Sequence, residues 1–196
     1  RELLWRVARM YLAFADVDQC ADEEREELMR AGLWLVDCSR RRFLDHGKSF
    51  LWFAIMLSSA ADFEDNRTKI GNAYVIRDNT RRALELEPDD AVAHHVLGRW
   101  CFEVANISWW MRRLAAAIFG EPPRSSFEEA LQHFQRASDC SSQPWKENHY
   151  RLGLTHEKLG RQDLAREAYE MVMRTPTRTP SDRKAHEGAE RALQSL

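Results

Sequence analysis

The segment at residues 151–176 carries small residues at intervals that restrict how this chain can fold. Gly153 and Ala165 stand where two helices would cross, and only side chains of their size let two helix backbones approach closely. Gly160 lies between them and permits a tight turn, because glycine adopts left-handed backbone angles at little cost. Tyr169 follows Ala165 by one helical turn and would fill the groove beside the pair. The spacing therefore predicts two antiparallel helices.

The same pattern occurs earlier in the chain, so we expect a repeat. Gly98 directly follows Leu97 at the start of one such pair, and Ala54 is the small crossing residue of the pair before it. Further residues that fit the pattern are Ala83, Pro88, Ala130, Phe134 and Ala137. Helical pairs with these residue types at these positions are typical of tetratricopeptide (TPR) repeats. The crossing residues lie farther apart than the about 34 residues of that repeat, which predicts an insertion at about residues 107–123.

Helical spacing of apolar residues continues along the chain, whereas no segment alternates as a strand would. Only 8 glycines and 6 prolines occur among the 196 residues, too few for the many tight turns of a β-sandwich or barrel. We therefore predict an all-α fold, a single TPR-like right-handed helical superhelix over residues 1–196. It would contain about four helical pairs, one inserted amphipathic helix and a C-terminal capping helix at about 181–196.

Local signals place several helix boundaries. We expect a third helix at about 47–61 and a fourth at about 74–87, which a following proline stops. Ser125 with Glu128 has the spacing of a capping box, in which each residue's side chain satisfies a backbone N–H of the other. Ser181 is similarly expected to open the terminal helix.

The charges of the chain nearly balance, with 29 basic and 31 acidic side chains. This excludes a general binder of polyanions, so we expect no nucleic-acid partner. The cysteines Cys20, Cys38, Cys101 and Cys140 form no CxxC pair, and we expect free thiols in a reducing compartment. No apolar run reaches the length of a membrane span. Because the first residue is Arg1, we expect a soluble piece of a longer protein.

Residues that could support catalysis or bind a metal are isolated from one another. The glycines are scattered and form no phosphate-binding loop. His149 and His156 could share a helix face, but no acid or cysteine nearby supplies the third ligand that a metal needs. We therefore predict no catalytic residue, no cofactor and no metal, and a protein that is not an enzyme.

The concave surface of a TPR array is lined by the first helix of each pair. We predict that the following residues form this groove: Leu51, Ile55, His95, Arg99, Phe102, Tyr150, Leu154 and Lys158. A clamp for a peptide carboxylate needs lysine and asparagine where this chain has Leu51 and Ile55, which excludes that ligand. A largely apolar groove with a few cations suits an amphipathic helix of a partner, or an acyl chain with an anionic head group. The alternative is that Leu51, Ile55 and Phe102 fill the core of a tightly wound superhelix.

The insertion has the composition of a membrane-interface helix. Trp109 and Trp110 supply large rings, Arg112 and Arg113 supply positive charge, and no acidic residue occurs from 105 to 119. The alternative is that the apolar face of this helix packs back on the array as a lid, while the arginines are solvated or form salt bridges.

Several stretches of the chain resemble the regulator of microtubule dynamics family. They are LLWRVAR at residues 3–9, ALELEPDD at 83–90, LGRWCFEV at 97–104, ISWWMRRL at 107–114, FGEPP at 119–123 and FEEALQHF at 127–134. The resemblance covers most of the chain. It is most specific at residues 83–137, because the insertion is not a general feature of TPR repeats.

The resemblance implies a non-catalytic TPR-like domain with protein partners, among them microtubules. One branch, the mitochondrial one that interacts with a protein tyrosine phosphatase, also binds anionic phospholipid and acts at contacts with the endoplasmic reticulum. We therefore expect a location on the cytoplasmic face, either on microtubules or at the mitochondrial outer membrane through an anchor outside this sequence. Two functions stay open. One is a groove that binds a partner protein and phospholipid at organelle contact sites, and the other is a lipid-independent microtubule scaffold in the spindle or in chromosome segregation.

Overall fold

The computed structural model describes residues 1–16, 20–108, 112–113, 116–117 and 123–196. Within these ranges the secondary structure consists of helices without any strand, so the predicted all-α fold is confirmed. The contacts divide the chain into two compact units. Unit 1 comprises residues 1–88 with 107–123, and unit 2 comprises residues 89–106 with 124–196.

Unit 1 is built from antiparallel helical pairs. Its helices are α1 (Glu2–Ala15), α2 (Asp22–Arg42), α3 (Gly47–Ala60) and α4 (Asn66–Leu86), with a 3₁₀ turn at Ala61–Phe63. Helix α1 packs on α2, α2 on α3, and α3 on α4. The side chains of Met29, Val36 and Met56 are fully buried where these helices meet. Burial of this apolar surface is the main contribution to the stability of the unit.

Helix α4 begins eight residues before the position that apolar spacing predicts. Its N-cap is Asp65, whose Oδ1 accepts a hydrogen bond from the Thr68 backbone N–H at 2.7 Å. An aspartate at this position satisfies one of the N–H groups that the first helical turn leaves without a partner. The first two turns of α4 are mostly polar, so they carry no apolar periodicity that would indicate the start.

Unit 2 continues the same architecture. Its helices are α5 (Ala91–Asn106), α6 (Phe127–Cys140), α7 (Lys146–Lys158), α8 (Gln162–Arg174) and α9 (Pro180–Ser195). Helices α5 and α6 form one pair and α7 and α8 form the next, while α9 packs on both α7 and α8. Helix α9 therefore covers the apolar surface of the last pair, as the end of a helical repeat requires.

The small residues lie where the helices of each pair cross. A Cβ atom added to Gly98 would lie 2.8 Å from the ring of Phe134, and one added to Gly153 would overlap the ring of Tyr169. Gly160 has a φ of 69° in the turn between α7 and α8. The predicted roles of Gly153 and Gly160 are therefore confirmed, since each position excludes an ordinary side chain for a different reason.

Two of the predicted helix caps are wrong, one by one residue and the other by two. Helix α6 is capped by Ser126, not Ser125, and the Ser126 hydroxyl accepts a hydrogen bond from the Glu129 N–H at 3.1 Å. Helix α9 begins at Pro180 rather than Ser181, with Thr179 as its N-cap. Proline is suited to the first helical position, because its fixed φ is helical and it has no N–H to leave unpaired.

Candidate functional site

The two predicted groove residues on α3 differ in exposure. Leu51 is fully buried and is among the largest completely buried side chains of the described chain. Ile55, one helical turn later, is half-buried. Leu51 thus contributes to the core of unit 1, and only Ile55 keeps part of its surface open to a ligand.

On α5, His95 is buried and held by a hydrogen-bond network. Its Nδ1 lies 2.8 Å from Asn148 Oδ1, while the Asn148 amide nitrogen donates to the Phe134 carbonyl at 2.8 Å and to Ser138 Oγ at 2.9 Å. Because that amide nitrogen faces two acceptors, its oxygen faces His95, and Nδ1 of His95 carries the proton and donates it. The His95 ring also packs against the ring of Trp145 at a tilt of 32°, with ring centroids 4.2 Å apart.

The other ring nitrogen of His95 faces Glu147 on α7. Nε2 lies 3.7 Å from Glu147 Oε1, too long for a direct hydrogen bond but within ion-pair distance, and it has no hydrogen-bond partner among the described residues. Glu147 Oε1 also lies 3.8 Å from Nη1 of Arg99. Glu147 therefore stands between two groups of α5 that sequence analysis placed in the groove.

The carboxylate of Glu147 is strongly stabilised in its charged form. Burial alone would raise its pKa, but the proximity of His95 and the positive charges of Arg99 and Arg151 outweigh burial and lower the pKa to about 2. Arg151, one turn along α7, has its own pKa lowered, first by burial and then by the nearby charge of Arg99. Its Nη1 lies 3.3 Å from Glu103 Oε1 on α5.

These contacts define a charge cluster across the two helices. It consists of His95, Arg99 and Glu103 on α5 and of Glu147 and Arg151 on α7, and we call it the α5–α7 charge cluster. Members on the same helix are four residues apart and therefore share one face. The side chain of Arg99 is 45% exposed and that of Glu103 is 63% exposed, so a ligand can reach both charges from solvent.

The remaining predicted groove residues of unit 2 have mixed surroundings. Phe102 is buried and packs edge-on against Phe127, with ring centroids 5.3 Å apart. Tyr150 is half-buried beside Tyr169, Leu154 is half-buried, and Lys158 is exposed at the end of α7. Phe102 and Tyr150 are thus largely occupied by contacts within the protein.

The predicted insertion residues are described only in part. Trp109 and Trp110 lie outside the described residues. Arg112 and Arg113 are helical, with Arg112 half-buried and Arg113 exposed, and the Arg112 N–H donates to the Ser108 carbonyl at 3.0 Å. The role of this segment as a membrane-interface helix or lid stays a prediction.

Sequence analysis did not identify Glu103, Glu147, Asn148 or Arg151. One signal was available: Arg99 and Glu103 on α5, and Glu147 and Arg151 on α7, form two opposite-charge pairs at a spacing of four. That spacing predicts pairing along each helix. It does not show that the two helices lie side by side and exchange partners.

The described residues provide no obvious metal centre or membrane span. No three histidine, cysteine or acidic side chains within them are close enough together to hold a metal ion. Among the helices that the structure describes, none is both long and apolar enough to cross a bilayer.

Two solved structures share this fold, and one of them is described as a TPR protein. The thermophilic TPR protein TTC0263 of Thermus thermophilus superposes with a TM-score of 0.64 at 18% identity, covering 98% of this chain and 81% of that one. MamA superposes with a TM-score of 0.54 at 16% identity, covering 91% of this chain and 92% of that one. At these identities the likeness shows the fold alone, and it confirms the predicted TPR-like architecture.

Sequence comparison identifies the family. Regulator of microtubule dynamics protein 1 is 33% identical over 195 residues in Mus musculus, covering 100% of this chain and 64% of the relative. The Rattus norvegicus protein 1 is 35% identical over 195 residues, covering 98% and 62%. Regulator of microtubule dynamics protein 3 of Xenopus laevis is 28% identical over 185 residues, covering 94% and 40%. The chain thus spans less than two thirds of the length of these relatives. The family model described as regulator of microtubule dynamics protein 1-3 matches residues 1–196, and the chain belongs to that family.

Proposed function

We propose that this domain is a non-catalytic scaffold that binds a segment of a partner protein along the face formed by α5 and α7. The observation that carries the proposal is the α5–α7 charge cluster, in which exposed Arg99 and Glu103 stand beside the more buried Glu147 and Arg151. Exposed charges of both signs at fixed positions favour a partner with a complementary charge pattern, because such patterns select and orient partners.

The weak internal pairing of Arg99 supports this proposal. Its Nη1 lies 3.8 Å from Glu147 Oε1, beyond hydrogen-bond distance, so the guanidinium keeps donors for an incoming carboxylate. Glu147 does not need Arg99 to remain charged, since His95 and Arg151 also stabilise it. An acidic residue of the partner can therefore pair with Arg99, because Glu147 is still stabilised by His95 and Arg151.

The phospholipid alternative has less support on this face. An acyl chain lying across the cluster would remove four charged side chains from water, which costs several kcal/mol per ion unless new partners replace the water. Phe102, the largest apolar residue predicted for the groove, already packs against Phe127. Phospholipid is therefore an outcome that the experiment below can reveal rather than our first choice.

The family to which the chain belongs suggests where the partner is found. Its relatives are named regulators of microtubule dynamics, so we propose the surface of the microtubule itself as the partner. Tubulin surfaces are acidic, which suits Arg99 and the exposed Lys158. For the full-length protein we extend this to the cytoplasmic face of organelles that contact microtubules, including the mitochondrial outer membrane, and imaging of the tagged full-length protein tests that location.

Cosedimentation with microtubules at low salt tests the proposal. We expect the domain to pellet with microtubules and Arg99→Glu to weaken that binding by at least about tenfold, since it replaces attraction with repulsion. Arg136→Glu is the matched control, because Arg136 is an exposed arginine of α6, outside the cluster, that pairs with Asp89 at 2.7 Å. Equal losses for both variants, or no pelleting of the wild type, would remove the proposed partner. Native mass spectrometry of the same preparation reports any retained phospholipid, and retention that Arg99→Glu abolishes would replace the protein partner by lipid.

A further inference from the structure

A cleft of about 440 Å³ lies in unit 2, beside the starts of α7 and α9. Its walls come from the α6–α7 loop, the first residues of α7, the end of α8 and the α8–α9 loop. The apolar part of the lining is Pro144, Trp145, Met171 and Pro176. The volume falls within the range of clefts that hold small ligands, about 300–1,000 Å³.

The acidic residues that line the cleft are already paired. Glu147 faces His95 and Arg99 of α5. The Asp182 carboxylate accepts hydrogen bonds from the backbone N–H groups of Arg178 and Thr179, both at 3.0 Å. Neither carboxylate forms an ion pair within 4 Å with Lys146 or Arg178.

Two basic residues of the lining have no acidic hydrogen-bond partner among the described residues. The ammonium of Lys146 donates to Thr177 Oγ1 at 2.8 Å and lies 3.2 Å from His186 Nδ1, although the residue is only 2% exposed. The Arg178 guanidinium donates to the amide oxygen of Gln143 at 3.3 Å. Among the described residues, no carboxylate lies within 4 Å of either cation, whereas the third basic residue of the lining, Arg174, pairs with Glu170 at 3.1 Å.

A buried ammonium with no carboxylate within ion-pair distance is energetically costly. Charged groups that leave water normally gain an opposite charge or give up their own. Burial accordingly lowers the pKa of Lys146, and the charge of Asp182 counters that effect only in part. An anion in the cleft would supply the missing charge to Lys146 and a second hydrogen-bond acceptor to Arg178.

We propose that this cleft binds a carboxylate carried on an apolar body, with Lys146 and Arg178 as its cationic residues and Trp145 and Met171 as its apolar wall. A singly charged group fits the cleft better than a dianion, because Glu147 and Asp182 are also in the lining and would repel additional negative charge. The source is either a free small acid or the C-terminal residue of a peptide. The proposal does not depend on partner binding along the face of α5 and α7.

Calorimetric titration with matched probes tests the proposal. N-acetylphenylalanine carries the carboxylate, and N-acetylphenylalaninamide is the neutral control of the same shape. We expect the acid to bind at least about tenfold more tightly than the amide, and to shift the NMR signal of the Trp145 indole N–H. Comparison with acetyl-Ala-Ala-Ala-Phe separates the two sources: tighter binding of the peptide indicates a chain terminus, and equal binding indicates a free acid.

Three variants locate the binding. Lys146→Met removes the buried charge with little change in volume, and Arg178→Gln removes an exposed charge and keeps a polar side chain. We expect each to weaken binding of the acid by about tenfold. Lys184→Met on α9 is the control, because Lys184 is exposed and lies outside the lining. Equal binding of acid and amide, absence of binding by both, or full binding by Arg178→Gln would each overturn the proposal.

Discussion

The ring of Tyr169 occupies the space that a side chain at Gly153 would fill. Tyr169 is completely buried and packs with Ala165, Val172 and Ala189, so its ring has no room to move aside. The contact joins α7 to α8 and, through Ala189, reaches α9. The absence of a side chain at residue 153 is therefore a packing requirement of the whole last pair.

Gly153→Ala is expected to destabilise the domain. The added methyl group overlaps the Tyr169 ring, and overpacking of this kind costs about 1–3 kcal/mol, although alanine is favoured over glycine in a helix by about 1 kcal/mol. Urea denaturation followed by circular dichroism measures the change. The comparison variant is Gly160→Asn, which keeps a residue that tolerates positive φ and should lose less than about 1 kcal/mol. A Gly153→Ala protein as stable as the wild type would contradict the packing that we describe.

Asn148→Ala tests the buried network around His95. The substitution leaves Nδ1 of His95 without its acceptor and removes the Asn148 bond to the Phe134 carbonyl, which lies within α6. A buried polar group that loses its hydrogen bond costs about 1–3 kcal/mol, and we expect a loss of that size in the free energy of unfolding. Asn79→Ala is the control, since its amide makes one solvent-exposed hydrogen bond to Val75 and should change stability by less than about 0.5 kcal/mol. Similar losses for the two variants would show that the buried network stabilises the fold no more than an exposed side-chain hydrogen bond does.

The pH dependence of stability should reveal the charge of Glu147. Its pKa is about 2 in the folded protein, against an ordinary value of 4.5, so the folded state favours the ionised form. The resulting stabilisation is fully present above about pH 4.5 and is lost as the pH falls towards 2. The difference corresponds to about 3 kcal/mol.

Glu147→Gln isolates this contribution. The variant should be less stable than the wild type at neutral pH, and its stability should decline less steeply between pH 4.5 and pH 2. Thermal unfolding at a series of pH values provides the measurement. Parallel curves for the two proteins over that window would mean that His95, Arg99 and Arg151 do not stabilise the carboxylate.

The N-cap of α9 is Thr179, whereas sequence analysis placed the start of this helix at Ser181. The Thr179 hydroxyl accepts a hydrogen bond from the Asp182 N–H at 3.1 Å, and the Asp182 carboxylate accepts from the Thr179 N–H at 3.0 Å. Thr179→Ala should therefore cost about 1 kcal/mol. Ser181→Ala, at the residue that sequence analysis chose, should change stability by less than about 0.5 kcal/mol. A larger loss for Ser181→Ala than for Thr179→Ala would move the helix start back to the sequence-based position.

The sequence predicts the parts of this fold that depend on residue size and backbone freedom. Gly153 and Gly160 each exclude an ordinary side chain, and such positions leave a clear pattern in the sequence. The start of α4 has no comparable pattern, because its polar first turns are stabilised by the single side chain of Asp65. The capping residue depends on where the helix begins, because its side chain bonds a backbone N–H group that has no partner within the helix. A shift of one residue in the helix start changes the capping residue, although the composition of the segment stays the same.

The candidate site could be predicted only in part for a related reason. His95 and Arg99 follow from their helical spacing, since the first helix of a TPR pair presents one face to the groove. Glu147 could not be found in the same way, because its importance comes from contacts with a second helix rather than from its own position in α7. Gly98 and Gly153 allow the close approach of α5 to α6 and of α7 to α8. Neither position specifies which residues of α5 and α7 face each other.

Hydrogen–deuterium exchange with and without microtubules tests the central claim most directly, because it reports where a partner touches the domain. We predict that microtubules slow exchange in peptides from α5 and α7 of the wild-type protein, and that Arg99→Glu removes this protection while Arg136→Glu retains it. Protection confined to α1–α4, or protection of α5 and α7 that survives Arg99→Glu, would contradict partner binding through the α5–α7 charge cluster.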